Sequence, residues 1–225
     1  MMSELSIYIH WPYCLSKCPY CDFNSHVADK KIDQEEFLEL IEKEIDYHSK
    51  YIDNKKISSI FFGGGTPSLM DPSIIERILA HLFSRCNIEN DTEITMEANP
   101  TSVELQKFRD YSNIGVNRIS IGAQSLNDKY LKFLGRLHNI KDVKIALNDA
   151  TEIFENISVD LIYAFHGQNI YDWANELENF LNTYNLQHLS LYQLTIEEGT
   201  KFFKDHKKGQ IKIIDNDLAA EFYEI

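Results

Sequence analysis

The sequence predicts an α/β fold: a partial (β/α)6 TIM-like barrel, with a parallel sheet inside and helices outside. Three observations carry this. Short strand-like segments alternate with segments of helical periodicity, the order that builds a parallel sheet through right-handed crossovers. There are six such units, too few to close an eight-unit barrel. Several strands set a polar face against an apolar one, although a covered parallel sheet is normally apolar on both sides. Six units suit an open barrel or a doubly wound sheet; buried polar faces need partners, and a polar lumen that holds a ligand supplies them, which favours the barrel.

The elements follow in order. The first strand, 6–12 (SIYIHWP), alternates Tyr8 and His10 with Ile7 and Ile9. A helical stripe of Phe37, Leu38, Ile41 and Ile45 comes next, opened by Asp33 with Glu36 as a loose capping box. The second strand, 58–63 (SSIFFG), leads to a stripe of Ile74, Ile75, Ile78, Leu79 and Leu82, with Asp71 before Pro72 at the first helical position. In the third strand, 93–99 (EITMEAN), Thr95, Glu97 and Asn99 alternate with Ile94, Met96 and Ala98, and Thr101 with Glu104 fits a capping box. The fourth, 118–124 (RISIGAQ), sets Ser120, Gly122 and Gln124 against Ile119 and Ile121, and Ser125 with Asp128 is a looser cap. The fifth, 157–164 (ISVDLIYA), puts Ser158 and Asp160 opposite Val159 and Leu161. Asn169 with Asp172 then opens a stripe of Trp173, Leu177, Phe180, Leu181 and Tyr184, and the sixth strand is 188–196 (HLSLYQLTI). We expect a core domain over 1–200. From 201 to 225 we expect the start of a C-terminal region: Gly199-Thr200, a basic stretch from Lys201 to Lys208, and a helical pattern that stops part-way, as in a truncated chain.

The 225 residues are 44% hydrophobic and 25% charged, enough to bury a core and against wholesale disorder. A net charge of −13 repels phosphate backbones, so no nucleic-acid partner is expected. No apolar run is long enough to span a membrane, and Met1 to Ser6 lacks the pattern of a signal peptide, so the expected compartment is the cytoplasm.

In a reducing compartment, three cysteines within eight residues point to a metal site rather than to disulfides. Cys14, Cys18 and Cys21 have C-x3-C-x2-C spacing in the loop after the first strand, the edge where parallel barrels hold their chemistry. Three thiolates suit a [4Fe–4S] cluster with one iron left open for an outside ligand. Zinc with His26 as a fourth ligand is the alternative. Cys86 lies apart and reads as a small core residue.

Gly63-Gly64-Gly65-Thr66-Pro67 follows the second strand; it reads equally as a tight turn or as backbone exposed to a ligand. Glu97 ends the third strand, either facing ligand hydroxyls or paired with Arg118 or Arg136. Gln124, Arg136 and Asp160 fall on the same edge or face, with surface placement the alternative for Arg136. His10, His138 and His166 each read as satisfied histidines.

The cysteine spacing after a first barrel strand resembles the radical SAM superfamily, in which the open iron chelates S-adenosylmethionine and an electron cleaves its sulfonium to a 5′-deoxyadenosyl radical. SIYIHWPYCLSKCPYCDFNSH, FFGGGTPS, EITMEANP, GVNRISIGAQS, LGRLH, DLIY and LSLYQLTIEEGT, in that order, resemble the HemW heme-chaperone family, relatives of oxygen-independent coproporphyrinogen III oxidase. The resemblance implies cluster ligands Cys14, Cys18 and Cys21. It implies S-adenosylmethionine contacts from Tyr8, Tyr20, Gly64, Gly65, Thr66, Glu97, Gln124, Arg136, Asp160 and Thr195. It also implies a bound heme or porphyrin, a heme-acceptor protein, an electron donor and a homodimer. The oxidase has a further cysteine where this chain has Phe23, and a longer N-terminal segment, so the chaperone branch is the better match, without oxidase activity; an oxidase-like radical enzyme acting on tetrapyrroles, or an inactive barrel, is the alternative. The family usually reads Gly-Leu-Pro-Gly-Gln after DLIY. This chain has Ala164-Phe165-His166-Gly167-Gln168, which predicts an altered turn there, and it lacks the family's C-terminal His-Asn-x-x-Tyr-Trp motif.

Overall fold

The computed structural model describes residues 4–28, 32–52, 55–184 and 186–225, and for 102–103 the backbone alone; Met1–Ser3 of the opening segment lie outside them. In chain order the elements are β1 (Glu4–Trp11), β2 (Tyr13–Cys14), β3 (His26–Val27), α1 (Gln34–Ser49), β4 (Lys56–Gly64), a 3-10 turn (Pro67–Leu69), α2 (Pro72–Arg85), β5 (Asn87–Ala98), α3 (Ser102–Leu105), α4 (Phe108–Asn113), β6 (Arg118–Gln124), α5 (Asp128–Phe133), α6 (Ile140–Ile153), β7 (Asn156–Tyr163), α7 (Ile170–Thr183), β8 (His188–Gln193), α8 (Lys201–Lys207) and α9 (Asn216–Glu224). Six strands form one parallel sheet in the order β1-β4-β5-β6-β7-β8, curled into a half-barrel. Strand order follows chain order, as successive βα units require. Among the described residues, no helix is long and apolar enough to cross a membrane.

The expected alternation holds. Ile57, Ile60, Phe62, Met96, Ile119, Ile121, Val159 and Leu161 are wholly buried between sheet and helices. On the concave side the polar groups low in the half-barrel satisfy one another. Ser59 donates to Ser6 Oγ at 2.8 Å, Thr95 Oγ1 to Glu93 at 2.8 Å and Arg118 to Thr95 Oγ1 at 3.2 Å; Ser158 Oγ lies 2.8 Å from His188 Nδ1. The upper level, at the carboxyl ends of the strands, opens into a cavity.

Helix starts follow the sequence in part. Asp33 accepts from the amides of Glu35 and Glu36, and Asn169 from those of Tyr171 and Asp172. Three expectations need correction. Thr101 accepts no amide as a cap; its hydroxyl donates to the Glu104 carboxylate at 3.0 Å, which also takes Ser68 and the Asn99 amide. The cap of α5 is Asn127, and Ser125 instead accepts from the Asn127 amide at 3.1 Å. Leu181 is exposed; the apolar stripe of α7 is narrower than the residue pattern implied.

The turn after β7 accounts for the family's glycine. Ala164 sits at φ 57°, in the left-handed region that favours glycine. Against that strain, roughly 1–2 kcal/mol, its buried methyl contributes about 0.8 kcal/mol. The two terms largely offset, so Ala164→Gly is expected to change unfolding stability by no more than about 1 kcal/mol in urea titration. A larger loss would mean that the methyl holds the turn.

Candidate functional site

The cysteine loop is anchored at both ends. Tyr13 and Cys14 pair in parallel with His26 and Val27, and the Ala28 amide donates to the Cys14 carbonyl at 3.0 Å. Within it, the Cys21 amide donates to the Cys18 carbonyl at 3.1 Å, a turn that brings the last two cysteines together. Lys17 ties the loop to itself through the Phe23 and Ser25 carbonyls, and His10 Nε2 donates to the Asn24 carbonyl at 2.9 Å. All three thiols are free and half-buried.

They face a cavity of about 340 Å³, within the range of small-molecule sites. Twelve of the thirteen sequence-predicted residues line it: the three cysteines and Tyr20 from the loop, Gly64, Gly65 and Thr66 from the end of β4, Glu97, Gln124, Asp160 and Thr195 from the later strands and the turns that follow them, and Arg136 from the turn after α5. Tyr8 is apart from the cavity wall. Its ring is mostly exposed, stacked on Phe61 at 5.9 Å. His26 is exposed and Cys86 lies at the end of α2; neither lines the cavity.

The glycine run is explained first by packing. Any Cβ at Gly65 would lie 2.6 Å from the Tyr13 carbonyl oxygen, and one at Gly64, where φ is 117°, 2.7 Å from the His10 ring. Three amide donors here are already used: Gly64 N–H by Glu97 (3.1 Å), Gly65 N–H by the Trp11 carbonyl (2.6 Å) and Thr66 N–H by the Tyr13 carbonyl (2.9 Å). The run therefore docks β4 on the root of the cysteine loop, and what it offers a ligand is carbonyl oxygen, an acceptor for an ammonium group.

Glu97 is in none of the described ion pairs: Arg118 lies near Glu93 at 3.9 Å, and Arg136 faces other groups. Burial pushes the Glu97 carboxyl up to about 7, with the Gly64 amide opposing and Asp160 adding to the shift. Burial likewise raises Asp160, which accepts from Ser120 Oγ at 3.3 Å. Two acids with few internal donors fit a ligand that brings hydroxyl groups.

Arg136 is a cavity residue, not a surface one. It donates to Cys18 Sγ at 3.2 Å, to the Gly122 carbonyl at 3.1 Å and to Asn99 Oδ1, while its enclosed Nε has no partner. Gln124 takes a left-handed φ of 66° at the end of β6; Glu176 braces the following turn by accepting from Ser125 Oγ at 2.8 Å and the Leu126 amide at 2.5 Å. His138 is satisfied, its Nε2 on the Ala123 carbonyl at 3.1 Å, and burial beside Arg136 lowers it to about 4, so it is neutral. His166 accepts from the Lys212 amide.

Asn99 escaped the sequence reading as a site residue. It links Arg136 to Thr66, donating to Thr66 Oγ1 at 3.2 Å. Its position two residues beyond Glu97, on the same strand face, was the available signal.

The donor set fits a cluster better than a single ion. Among the described residues, no three His, Cys, Asp or Glu side chains converge on one metal position. A cubane asks less of them, since each thiolate binds a different iron. The unpartnered Arg136 Nε and the buried carboxyls of Glu97 and Asp160 fit a ligand that carries carboxylate and hydroxyl groups.

Comparison with known proteins agrees with this geometry. The radical SAM superfamily model matches residues 8–180. The chain is 38% identical to zebrafish (Danio rerio) radical S-adenosyl methionine domain-containing protein 1, mitochondrial, over 98% of its length and 49% of that protein. It is 40% identical to the heme chaperone HemW of Escherichia coli over 89% of its length and 53% of the relative. It superposes on coproporphyrinogen III oxidase (HemN) of E. coli with a TM-score of 0.86 at 24% identity, covering 99% of this chain and 51% of that one, a likeness of fold. The chain thus spans about half the length of the curated relatives it matches.

Proposed function

The chain belongs to the radical SAM superfamily, and on that footing we propose that it is a heme-binding protein that passes heme to an acceptor protein. Membership brings the superfamily's cofactors, a [4Fe–4S] cluster and S-adenosylmethionine. In this proposal Cys14, Cys18 and Cys21 hold the cluster, and 1–200 is the core that carries it, with a further region opening at 201. When bound, the cluster supplies the electron that cleaves the sulfonium.

The chain's own groups do the rest. The carbonyls of Gly64 and Gly65 accept from the methionyl ammonium, and Arg136 faces its carboxylate. Glu97 and Asp160 accept from ribose hydroxyls, while Tyr20, Thr66, Gln124 and Thr195 close the wall. Tyr8 acts from outside the cavity, through the ring it lays beside Gly63. The observation that carries this reading is the meeting, in one cavity, of three free thiols with the buried carboxyls of Glu97 and Asp160 and with Arg136, whose Nε has no partner.

Heme handling is supported by the HemW relatives and by Phe23, which stands where the oxidase has a cysteine. The electron donor and the heme acceptor are the partners this implies. The working compartment is the cytoplasm, whose reducing pool keeps thiols free for iron, although the names of four relatives place those proteins in mitochondria.

The test is anaerobic reconstitution followed by two assays: heme uptake, and 5′-deoxyadenosine release with and without porphyrinogen. Stoichiometric heme uptake without porphyrinogen turnover is expected. Porphyrinogen-dependent 5′-deoxyadenosine release would transfer the assignment to an oxidase-like enzyme. Neither activity would leave a barrel that holds a cluster and does nothing more.

A further inference from the structure

The chain leaves β8 and returns to the cysteine loop. Thr200, buried, accepts from the Phe203 amide and donates to the Glu197 carbonyl at 2.7 Å, which starts α8. One residue into that helix, the Phe202 amide donates to the Pro19 carbonyl at 2.8 Å, and Pro19 lies between two cluster-loop cysteines. The Phe202 ring is 97% buried, 4.9 Å from Phe133 and 6.2 Å from Tyr20. Pro19 is gripped from the other side as well: a Cβ at Gly135 would come within 2.6 Å of its ring. Tyr20 in turn lies beside Cys18 and Arg136. The far end of α8 is tied down by His206 on the Ile211 carbonyl and by the Lys212 amide on His166.

Within the loop, the described hydrogen bonds around Cys18–Cys21 include just one turn bond, Cys21 to Cys18. A four-residue turn with so little of its own structure opens readily unless packed from outside. We propose that α8 is a latch on the cysteine loop and that Phe202 is its positioning residue, holding Pro19 and Tyr20 so that Cys18 and Cys21 keep the spacing a cluster needs. The latch as a cluster-retaining device rests on the assignment of Cys14, Cys18 and Cys21 as ligands; its mechanical part does not.

The test separates the two. In the metal-free full chain, Phe202→Ala is expected to raise the rate of thiol labelling at Cys18 and Cys21 by about tenfold or more, read by peptide mass spectrometry. Cys86, outside the loop, serves as the internal control and keeps its rate. Phe180→Ala, an equally buried aromatic on α7 remote from the loop, is the second control. Phe202→Leu, which keeps an apolar side chain but loses the ring contacts with Tyr20 and Phe133, should restore much of the protection and leave a smaller acceleration over wild type, which is the readout if the alanine variant fails to fold. Equal acceleration at Cys86, or no acceleration at Cys18 and Cys21, overturns the latch. In the reconstituted protein, Phe202→Ala should also release iron to a chelator faster than Phe180→Ala does; equal rates would end the retention role. A wild-type chain that takes up no iron would instead remove the ligand assignment while the labelling result stands.

Discussion

Cys18→Ser is expected to abolish cluster assembly: after anaerobic reconstitution the variant should lack the brown absorbance and retain almost no iron or acid-labile sulfide. A cubane anchored by three thiolates has no protein ligand in reserve, since Cys86 lies outside the cavity and His26 is exposed. The fold should survive. Serine is close in size, and its hydroxyl is still an acceptor for the Arg136 N–H that now meets Cys18 Sγ at 3.2 Å. Far-ultraviolet circular dichroism should therefore be unchanged. Unaltered iron content in the variant would contradict the assignment of the cysteine loop.

Glu97→Gln should act in opposite directions on stability and on binding. Without ligand, the folded carboxyl sits at about 7, whereas an unfolded glutamate titrates near 4.5. The sign follows: between those values the folded chain holds a proton that the unfolded chain has released, so stability falls as pH rises from about 4.5 to about 7 and is level above. Asp160 and Glu104 are raised by burial too, so the difference between wild type and variant is the quantity to follow. The ligand-free Gln variant should be more stable at pH 8 by on the order of 2 kcal/mol, and should match wild type near pH 4.5. Binding runs the other way. Two ribose hydroxyls donate best to a carboxylate, so wild-type affinity for S-adenosylmethionine should climb to a plateau above about pH 7. The variant should bind roughly tenfold to hundredfold more weakly at pH 8, with a flatter profile. Urea titration at pH 4.5 and pH 8 checks the stability difference, and calorimetric titration at pH 6 and pH 8 checks binding; equal affinity for the two proteins would make Glu97 a structural residue.

Much of this was legible in the residues. All six strands were readable, to within two residues at most edges, from runs such as RISIGAQ and SVDLIY, because period-two alternation records which face meets helices. β5 begins six residues earlier than expected, where Asn87 and Ile88 pair with Lys56 and Ile57 ahead of a register shift. Helix α6 is faint in the residue pattern, because two of the four residues it buries are alanines, although Asn139 and Asp142 form a full capping box. Leu181 and Thr101 misled because a stripe or a cap is a local pattern, while burial and side-chain direction depend on what lies across the interface. Glu104 gathers Ser68 and the Asn99 amide on one oxygen and the Thr101 hydroxyl on the other.

Local periodicity, spacing and order along the chain carry the barrel class and the cysteine loop, and the family resemblance adds twelve of the residues that line the cavity. Only the tertiary structure decided how these groups pair. It turned the glycine amides inward, gave Arg136 to Cys18 and Asn99, left Glu97 without a cation, and laid Phe202 on a loop some 180 residues earlier. Hydrogen bonds and burial act between atoms adjacent in space. A one-dimensional pattern says which atoms are available, and the curl of the sheet decides which of them meet.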